Sequence, residues 1–254
     1  MRAAGFVIHL TRAERRRALV AELQRVSPVP VAVLGAVDGA LLDEATINAV
    51  YHPHDLLEPR YPFLISRGEI GCFLSHRKAW QAILDSGADA GLVFEDDVVI
   101  DPQVFPRAVD AVLGWMGRSD WIEFQTRPVD GTAIHTVDEF RIVEPHVPPF
   151  RLSAQLIGTD AAARMLAVTE RFDRPVDGVV QLLGVTEQRI LCVEPSGVRD
   201  GTVAAGGTTI QAKGTPLLGE LAKSWHRAAY RRAIRAHVAE ARARLDQRER
   251  RLFR

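Results

Sequence analysis

The chain has little cysteine: Cys72 and Cys192 are the only two in 254 residues, and both stand in apolar stretches. That excludes a disulfide framework, and their spacing offers no thiolate metal motif. No apolar run approaches the roughly 20 residues needed to cross a bilayer as a helix. The short apolar patch at 5–10 gives way to Arg12 and Glu14-Arg15-Arg16-Arg17 too early for a signal-peptide core. A cytosolic protein is expected, or one peripheral on the inner face of a membrane. Neither sign of charge is in excess, because 32 Lys and Arg balance 32 Asp and Glu. The balance is uneven along the chain. Over 220–254 eleven basic residues face four acids, which puts that tail at +7 and the preceding chain at −7. Such asymmetry points to an anionic partner. No aromatic residue stands among the basic residues from 231 to 251, so an anionic membrane surface is favoured over nucleic acid.

With 47% hydrophobic and 25% charged residues the composition is that of a globular protein, long enough for one substantial α/β domain or two small ones. The most informative stretch is LVFEDDVVI at 92–100, where Glu95, Asp96 and Asp97 interrupt an apolar run that reads as a buried strand. Ionised carboxylates are costly to desolvate without a cation or donors. Acids at the carboxyl end of a parallel strand therefore suggest a hard divalent ion, Mn²⁺ or Mg²⁺, shared with substrate phosphates. The plainer alternative is that they lead into a turn ended by Asp101-Pro102. Alternation along a strand would put Glu95 and Asp97 on one face and Asp96 on the other.

Periodicity predicts a first strand at 6–10, then a helix to about Val26 opened by a capping box of Thr11 and Glu14. A second strand at 29–37 ends at Asp38-Gly39, and a long connection follows over 48–61. Ser66 as N-cap with Glu69 three residues on, apolar residues at helical spacing and Gly87 as stop define a helix over 66–86. A helix over 105–116, a strand at 121–125 and a polar loop at 127–138 come next. The pattern turns β-rich over 140–157 with breaks at Pro145 and Pro148-Pro149. Thr159-Asp160 is read as a helix cap, Pro175-Val176-Asp177 as the opening of another segment, and 189–193 as a strand. Residues 200–216 are Gly- and Thr-rich, which suggests mobility. The tail reads as a basic amphipathic helix with Ile234, Val238, Ala241 and Leu245 along one stripe, suited either to packing on its own domain or to a membrane surface.

Several pieces together resemble glycosyltransferase family 25, the lipooligosaccharide galactosyltransferase-like proteins. They are Val7-Ile8-His9-Leu10 followed by Arg12, Glu14 and Arg15; Ala36-Val37-Asp38-Gly39; GEIGCFLSH from Gly68 to His76 with Trp80 behind it; and Phe94-Glu95-Asp96-Asp97-Val98. A weaker match is 158–166 followed by Arg174-Pro175-Val176-Asp177. The resemblance implies an α/β, GT-A-type fold: a Rossmann-like mixed sheet flanked by helices, over 1–216, with a basic C-terminal helix over 217–254. It also implies transfer of a hexose, galactose first among them, from a UDP-sugar to a glycolipid or saccharide acceptor in lipopolysaccharide or other surface-glycan synthesis. His9 stands where the family usually has Asn, and LSAQLIG at 152–158 lacks a tyrosine expected there.

Under that resemblance Glu95 and Asp97 become the metal ligands, and His9, Arg12, Asp38, Ser75, His76 and Asp96 the substrate contacts. Asp177 and Glu69 are the catalytic candidates, with Asp177 the leading general base. Plainer roles stand beside these: Glu69 as a cap, Ser75 and His76 as packing, Asp38 as a turn residue, Asp177 as an N-cap and Arg12 as a solvated arginine. Two other functions compete. A sugar nucleotidyltransferase would want a glycine-rich loop directly after the first strand, which His9-Leu10-Thr11-Arg12 does not supply. A non-catalytic nucleotide- or saccharide-binding scaffold is the other.

Overall fold

The computed structural model describes residues 1–54, 56–201 and 217–252. The glycine- and threonine-rich segment expected to be mobile lies, from 202 on, outside the described residues. Eight strands form one mixed sheet in the order β2 (Val31–Gly35), β1 (Ala3–His9), β3 (Ala90–Glu95), β8 (Ala154–Gly158), β5 (Trp121–Glu123), β9 (Ile190–Glu194), β7 (Phe140–Pro145) and β6 (Gly131–Val137). β2, β1 and β3 run parallel, β8 runs antiparallel between β3 and β5, and β9 runs parallel to β5. The carboxyl ends of β1, β3, β5 and β9 therefore meet the start of β8 along one edge. β4 (Val98–Ile100) and β10 (Val198–Asp200) pair as a separate antiparallel ribbon.

Alternation along the strands divides the core between the two faces of the sheet. Leu92, Phe94, Ile122 and Leu156 pack towards α1 (Arg17–Val26) and α4 (Phe105–Trp115). Val93, Trp121 and Ile157 pack towards α3 (Arg67–Asp85), α5 (Thr159–Val168) and α6 (Val176–Val180). This is the mixed α/β sheet with flanking helices that the sequence implied.

α3 begins as predicted: the Ser66 side chain accepts from the Glu69 N–H while Glu69 accepts from the Ser66 N–H at 2.7 Å. Its first turns lie unusually close to the loop after β2. A Cβ on Gly71 would sit 2.7 Å from the Val37 carbonyl, and one on Gly39 would overlap the Arg67 carbonyl at 1.8 Å. Gly39 and Gly71 thus bring α3 to the sheet edge.

Several expectations are corrected. No capping box opens the first helix: Thr11 lies in a turn, a 3-10 turn covers Glu14–Arg16, and α1 starts at Arg17 without a side-chain cap. The reason is Arg16, which is buried and committed to Asp96 and Asp97. The 92–100 strand is broken by a turn at Asp96-Asp97, with β4 leaving the main sheet. The 127–138 loop contains β6, an exposed edge strand whose polar sequence hid it. The short α2 (Glu44–Val50), capped by Asp43 through the Thr46 N–H at 2.7 Å, occupies the start of a presumed connection. Thr159 sits inside α5 and donates instead to the carbonyls of Ala88 and Asp89.

The tail forms α8 (Leu217–Leu252). Tyr230, Ile234, Val238 and Ala241 are buried against Leu182 and Leu183 beside α7 (Leu183–Thr186), and Leu245 packs partly on them. The stripe read as suiting a membrane surface is thus occupied by the protein's own core. Among the described residues no helix is long and apolar enough to cross a membrane. α8 is also tied down by Arg174, wholly buried, which donates to Asp173 Oδ1 at 2.6 Å, to the Leu57 carbonyl at 2.6 Å and to Tyr230 Oη at 3.0 Å. Arg174 directly precedes Pro175-Val176-Asp177, so this cluster fixes the start of α6. Replacing it by methionine strands the Asp173 carboxylate in the interior. Arg174→Met is expected to lose about 3–5 kcal/mol of stability in urea unfolding, the usual cost of breaking a buried pair.

Candidate active site

A cavity of about 600 Å³ opens at the sheet edge, lined by Tyr61, Glu69, Cys72, Glu95, Asp97, Phe150, Arg151, Leu152, Ser153, Pro175, Val176 and Asp177. α3, the β3–β4 turn, the loop before β8 and α6 each contribute. Four carboxylates, Glu69, Glu95, Asp97 and Asp177, face this one space.

The β3–β4 turn is built around Asp96, which points away from the cavity. Its carboxylate, 5% exposed, lies 2.8 Å from His9 Nδ1 and accepts from Arg16 and the Leu10 N–H. Arg16 Nη2 also lies 3.3 Å from Asp97 Oδ2. One buried guanidinium therefore spans both aspartates and holds the turn to the end of β1. With Asp96 so occupied, Glu95 and Asp97 are left towards the cavity. The structure thus places His9 and Asp96 together behind the site, outside the cavity lining, and adds Arg16, which sequence reasoning passed over. Three consecutive arginines carried no signal as to which is buried.

Behind Glu95 stands His76, wholly buried, with Nε2 3.2 Å from Glu95 Oε1 and with Nδ1 lacking a hydrogen-bond partner among the described residues. Cys72 lies one turn earlier on α3. Ligand atoms of Cys72, His76 and Glu95 lie within 4.8 Å of one another, an arrangement able to hold a metal ion. This corrects the view that no cysteine meets a metal motif. The third ligand comes from β3, so no spacing along the chain revealed it. Burial, with Glu95 and Asp177 adding their charge, pushes the Cys72 thiol well above its ordinary range. The donor sets fit divalent ions of two kinds: Glu95 with Asp97 suits hard Mg²⁺ or Mn²⁺, and the thiol and imidazole suit Zn²⁺.

Asp177, at the start of α6, has its carboxyl pushed up to about 6. Burial is the main cause and the charge of Glu95 adds to it, while backbone N–H groups of Gly178 and Arg151 act the other way. Gly178 donates to Oδ1 at 2.8 Å. Glu69 serves both the capping box and the cavity wall, with Oε2 accepting from Ser66 N and Oγ. Arg151, absent from the sequence candidates, holds a left-handed backbone at φ 85° and pairs with Asp200. Such strain is a feature of ligand sites.

The remaining candidates lie elsewhere. Ser75 is buried, accepting from the Val37 N–H at 2.8 Å and donating to the Gly71 carbonyl at 2.7 Å, which ties α3 to the end of β2. Arg12 and Asp38 pair at 2.6 Å between the ends of β1 and β2, and Asp38 also caps the turn at Gly39–Leu41. The Arg12 hydrogen bond holds the Asp38 carboxyl below its ordinary range.

Glu123 was missed. It ends β5, wholly buried, paired across strands with Gln155 and Cys192, and burial drives its carboxyl well above the carboxylate range. Its Oε2 accepts from Gln125 at 2.6 Å. The argument that singled out 92–100 applies equally to an acid inside Trp121-Ile122-Glu123-Phe124.

The family model for glycosyltransferase family 25 (LPS biosynthesis protein) matches residues 3–113, which contain β1, the GEIGCFLSH helix and the acidic turn. Residues 3–113 are thus similar to glycosyltransferase family 25. Procollagen galactosyltransferase 2 of Homo sapiens is 35% identical over 101 residues, 39% of this chain and 16% of that protein. Inactive glycosyltransferase 25 family member 3 of Homo sapiens is 38% identical over 98 residues, 37% of this chain and 16% of that protein. The chain thus spans about a sixth of the curated relatives it matches. A solved glycosyltransferase involved in glycosylation of the major capsid of PBCV-1 overlays at a TM-score of 0.34 with 11% identity, covering 66% of this chain and 65% of that one.

A carboxyl held at about 6 weighs against folding at neutral pH. Between its ordinary value of 3.8 and about 6 the folded state binds more protons than the unfolded chain, so stability falls as pH rises through that window. Asp177→Asn removes the penalty. The variant is expected to melt higher than wild type at pH 7.5, by up to about 3 kcal/mol for two pKa units, with the gain vanishing near pH 3.5 in pH-dependent calorimetry.

Proposed function

We propose that this chain is a metal-dependent glycosyltransferase that moves a hexose, with galactose the first donor to test, from a UDP-sugar to a saccharide acceptor with inversion. The observation that carries it is the cavity in which Glu95 and Asp97, from a buried strand end, face a carboxyl poised at about 6 on Asp177. A general base works best with a pKa near the working pH. Glu95 and Asp97 would hold a divalent ion, which when bound neutralises charge gathering on the departing diphosphate. Asp177 takes the proton from the acceptor hydroxyl as its oxygen forms the bond to the sugar's anomeric carbon. The bond from that carbon to the diphosphate breaks, and UDP leaves with the electron pair. Arg16 holds Asp97 in place, and His76 fixes the orientation of Glu95. The acceptor class fits the family's link to surface glycans, and with the apolar stripe of α8 packed on the core its exposed arginines would carry contact with an anionic membrane. A cytosolic setting, peripheral on the membrane, belongs to the same proposal.

A second function, nucleotide or saccharide binding without turnover, is favoured by one observation: a relative of similar identity is named inactive. Incubating the pure chain with Mn²⁺ and a panel of nucleotide sugars separates the two. Donor hydrolysis releasing UDP supports the transferase, pyrophosphate release would indicate a nucleotidyltransferase, and binding with no turnover even with acceptors present supports the scaffold. With turnover in hand, Asp177→Asn is expected to cut kcat by about 10²-fold or more, and the wild-type rate to rise with pH to a plateau above about 6. Glu95→Gln and Asp97→Asn should abolish Mn²⁺-dependent UDP binding in calorimetry. Retention of that binding would remove the acidic turn from the donor site.

A further inference from the structure

A second cavity, about 910 Å³, lies between α8 and the 125–151 loops. Five arginines line it, Arg127, Arg151, Arg231, Arg235 and Arg242, against one acid, Asp130. Two of the five are already engaged: Arg151 pairs with Asp200, and Arg242 donates to the Pro145 carbonyl at 2.8 Å and lies 3.0 Å from Glu144. Arg127, Arg231 and Arg235 are exposed and have no ion-pair partner among the described residues. Asp130 does not offset them, since its side chain is 95% exposed and its one ion-pair neighbour among the described residues is His146 at 3.8 Å.

The groove is continuous with the acid cavity. Phe150 and Arg151 line both, and Phe150 is 45% exposed, an aromatic face between them. Buried Ile234 anchors α8 while Arg231 and Arg235, three residues before and one after, turn outward into the groove. Three of the tail's eleven basic residues, Arg231, Arg235 and Arg242, thus form a wall beside the site. Unpaired guanidiniums clustered at a concave surface recognise phosphate and carboxylate oxygens, often through two hydrogen bonds at once.

We propose that this groove binds the anionic part of the acceptor, a phosphate- or carboxylate-bearing sugar, whose hydroxyl reaches past Phe150 to Asp177. This rests on the transferase assignment for its functional meaning, but the anion site can be tested without it. Repulsion between such an anion and Glu95, Asp97 and Asp177 places the charged group on the arginine side and the reacting hydroxyl on the acid side. An acceptor with charge at one end and a hydroxyl at the other would be oriented by that field.

The probe is myo-inositol hexakisphosphate, a sugar-sized ring bearing phosphates, with neutral myo-inositol as its control, titrated into the full chain by calorimetry. The phosphorylated ring should bind, more weakly as salt rises, and the neutral ring should not. Arg231→Gln with Arg235→Gln should weaken binding about tenfold or more. Arg232→Gln with Arg244→Gln, equal in charge change but outside the groove, should leave it within about twofold. Equal losses in both double variants would show diffuse attraction to α8 and overturn the proposal. UDP with Mn²⁺ should still bind the loaded protein, and mutual displacement would make the groove part of the donor site, also overturning it. If UDP fails to bind at all, the transferase assignment falls while the anion site stands or falls by the variants. Phosphatidylglycerol vesicles separate the sources: binding of vesicles but not of the phosphorylated ring, lost in the groove variant, would mean a lipid headgroup and refute the sugar acceptor.

Discussion

The site depends on how one buried carboxylate is compensated. Asp96 sits at the end of an apolar strand, where an ionised group is tolerable only with donors close by. His9, the Leu10 N–H and Arg16 supply them. That network joins the carboxyl ends of β1 and β3, breaks the strand into a turn, and displaces the helix start from Thr11 to Arg17. Because Asp96 is committed inward, its two neighbours are directed to the cavity. An acid that contacts no cavity thus sets the orientation of those that do.

The second constraint is close approach. Gly39 and Gly71 let α3 lie against the loop after β2, and Ser75 locks the contact through the Val37 N–H. This puts Glu69, Cys72 and His76, three and four residues apart on one helix face, beside Glu95. The motif GEIGCFLSH is therefore partly packing and partly chemistry: Gly71 and Ser75 serve position, Glu69 and Cys72 face the cavity, and His76 backs Glu95.

Legibility followed locality. The α3 capping box, the buried strand with its acids and the Pro-Val-Asp entry were readable because each is decided by a few adjacent residues. So was the split of Glu95 and Asp97 from Asp96, although a turn and not a continuing strand produces it. What escaped depends on partners distant in sequence. Arg16 was hidden among identical neighbours, since only its tie to Asp96 and Asp97, 80 residues away or more, makes it special. The Cys72, His76 and Glu95 grouping needs α3 laid on β3. β6 carries too little apolar pattern to announce an edge strand, and α8's stripe showed that a face is buried but not by what.

Because α8 presents its packing residues and its groove arginines from the same turns, the helix has a fixed phase. A single-residue insertion between Ala228 and Ile234 would rotate everything after it by about 100°, exposing Val238 and Ala241 and swinging Arg235 away from the groove together. From Tyr230 to Leu245, where the stripe packs on Leu182 and Leu183, the helix therefore tolerates change only in whole turns. Point substitution, not insertion or deletion, is the route open to this surface for altering what it binds.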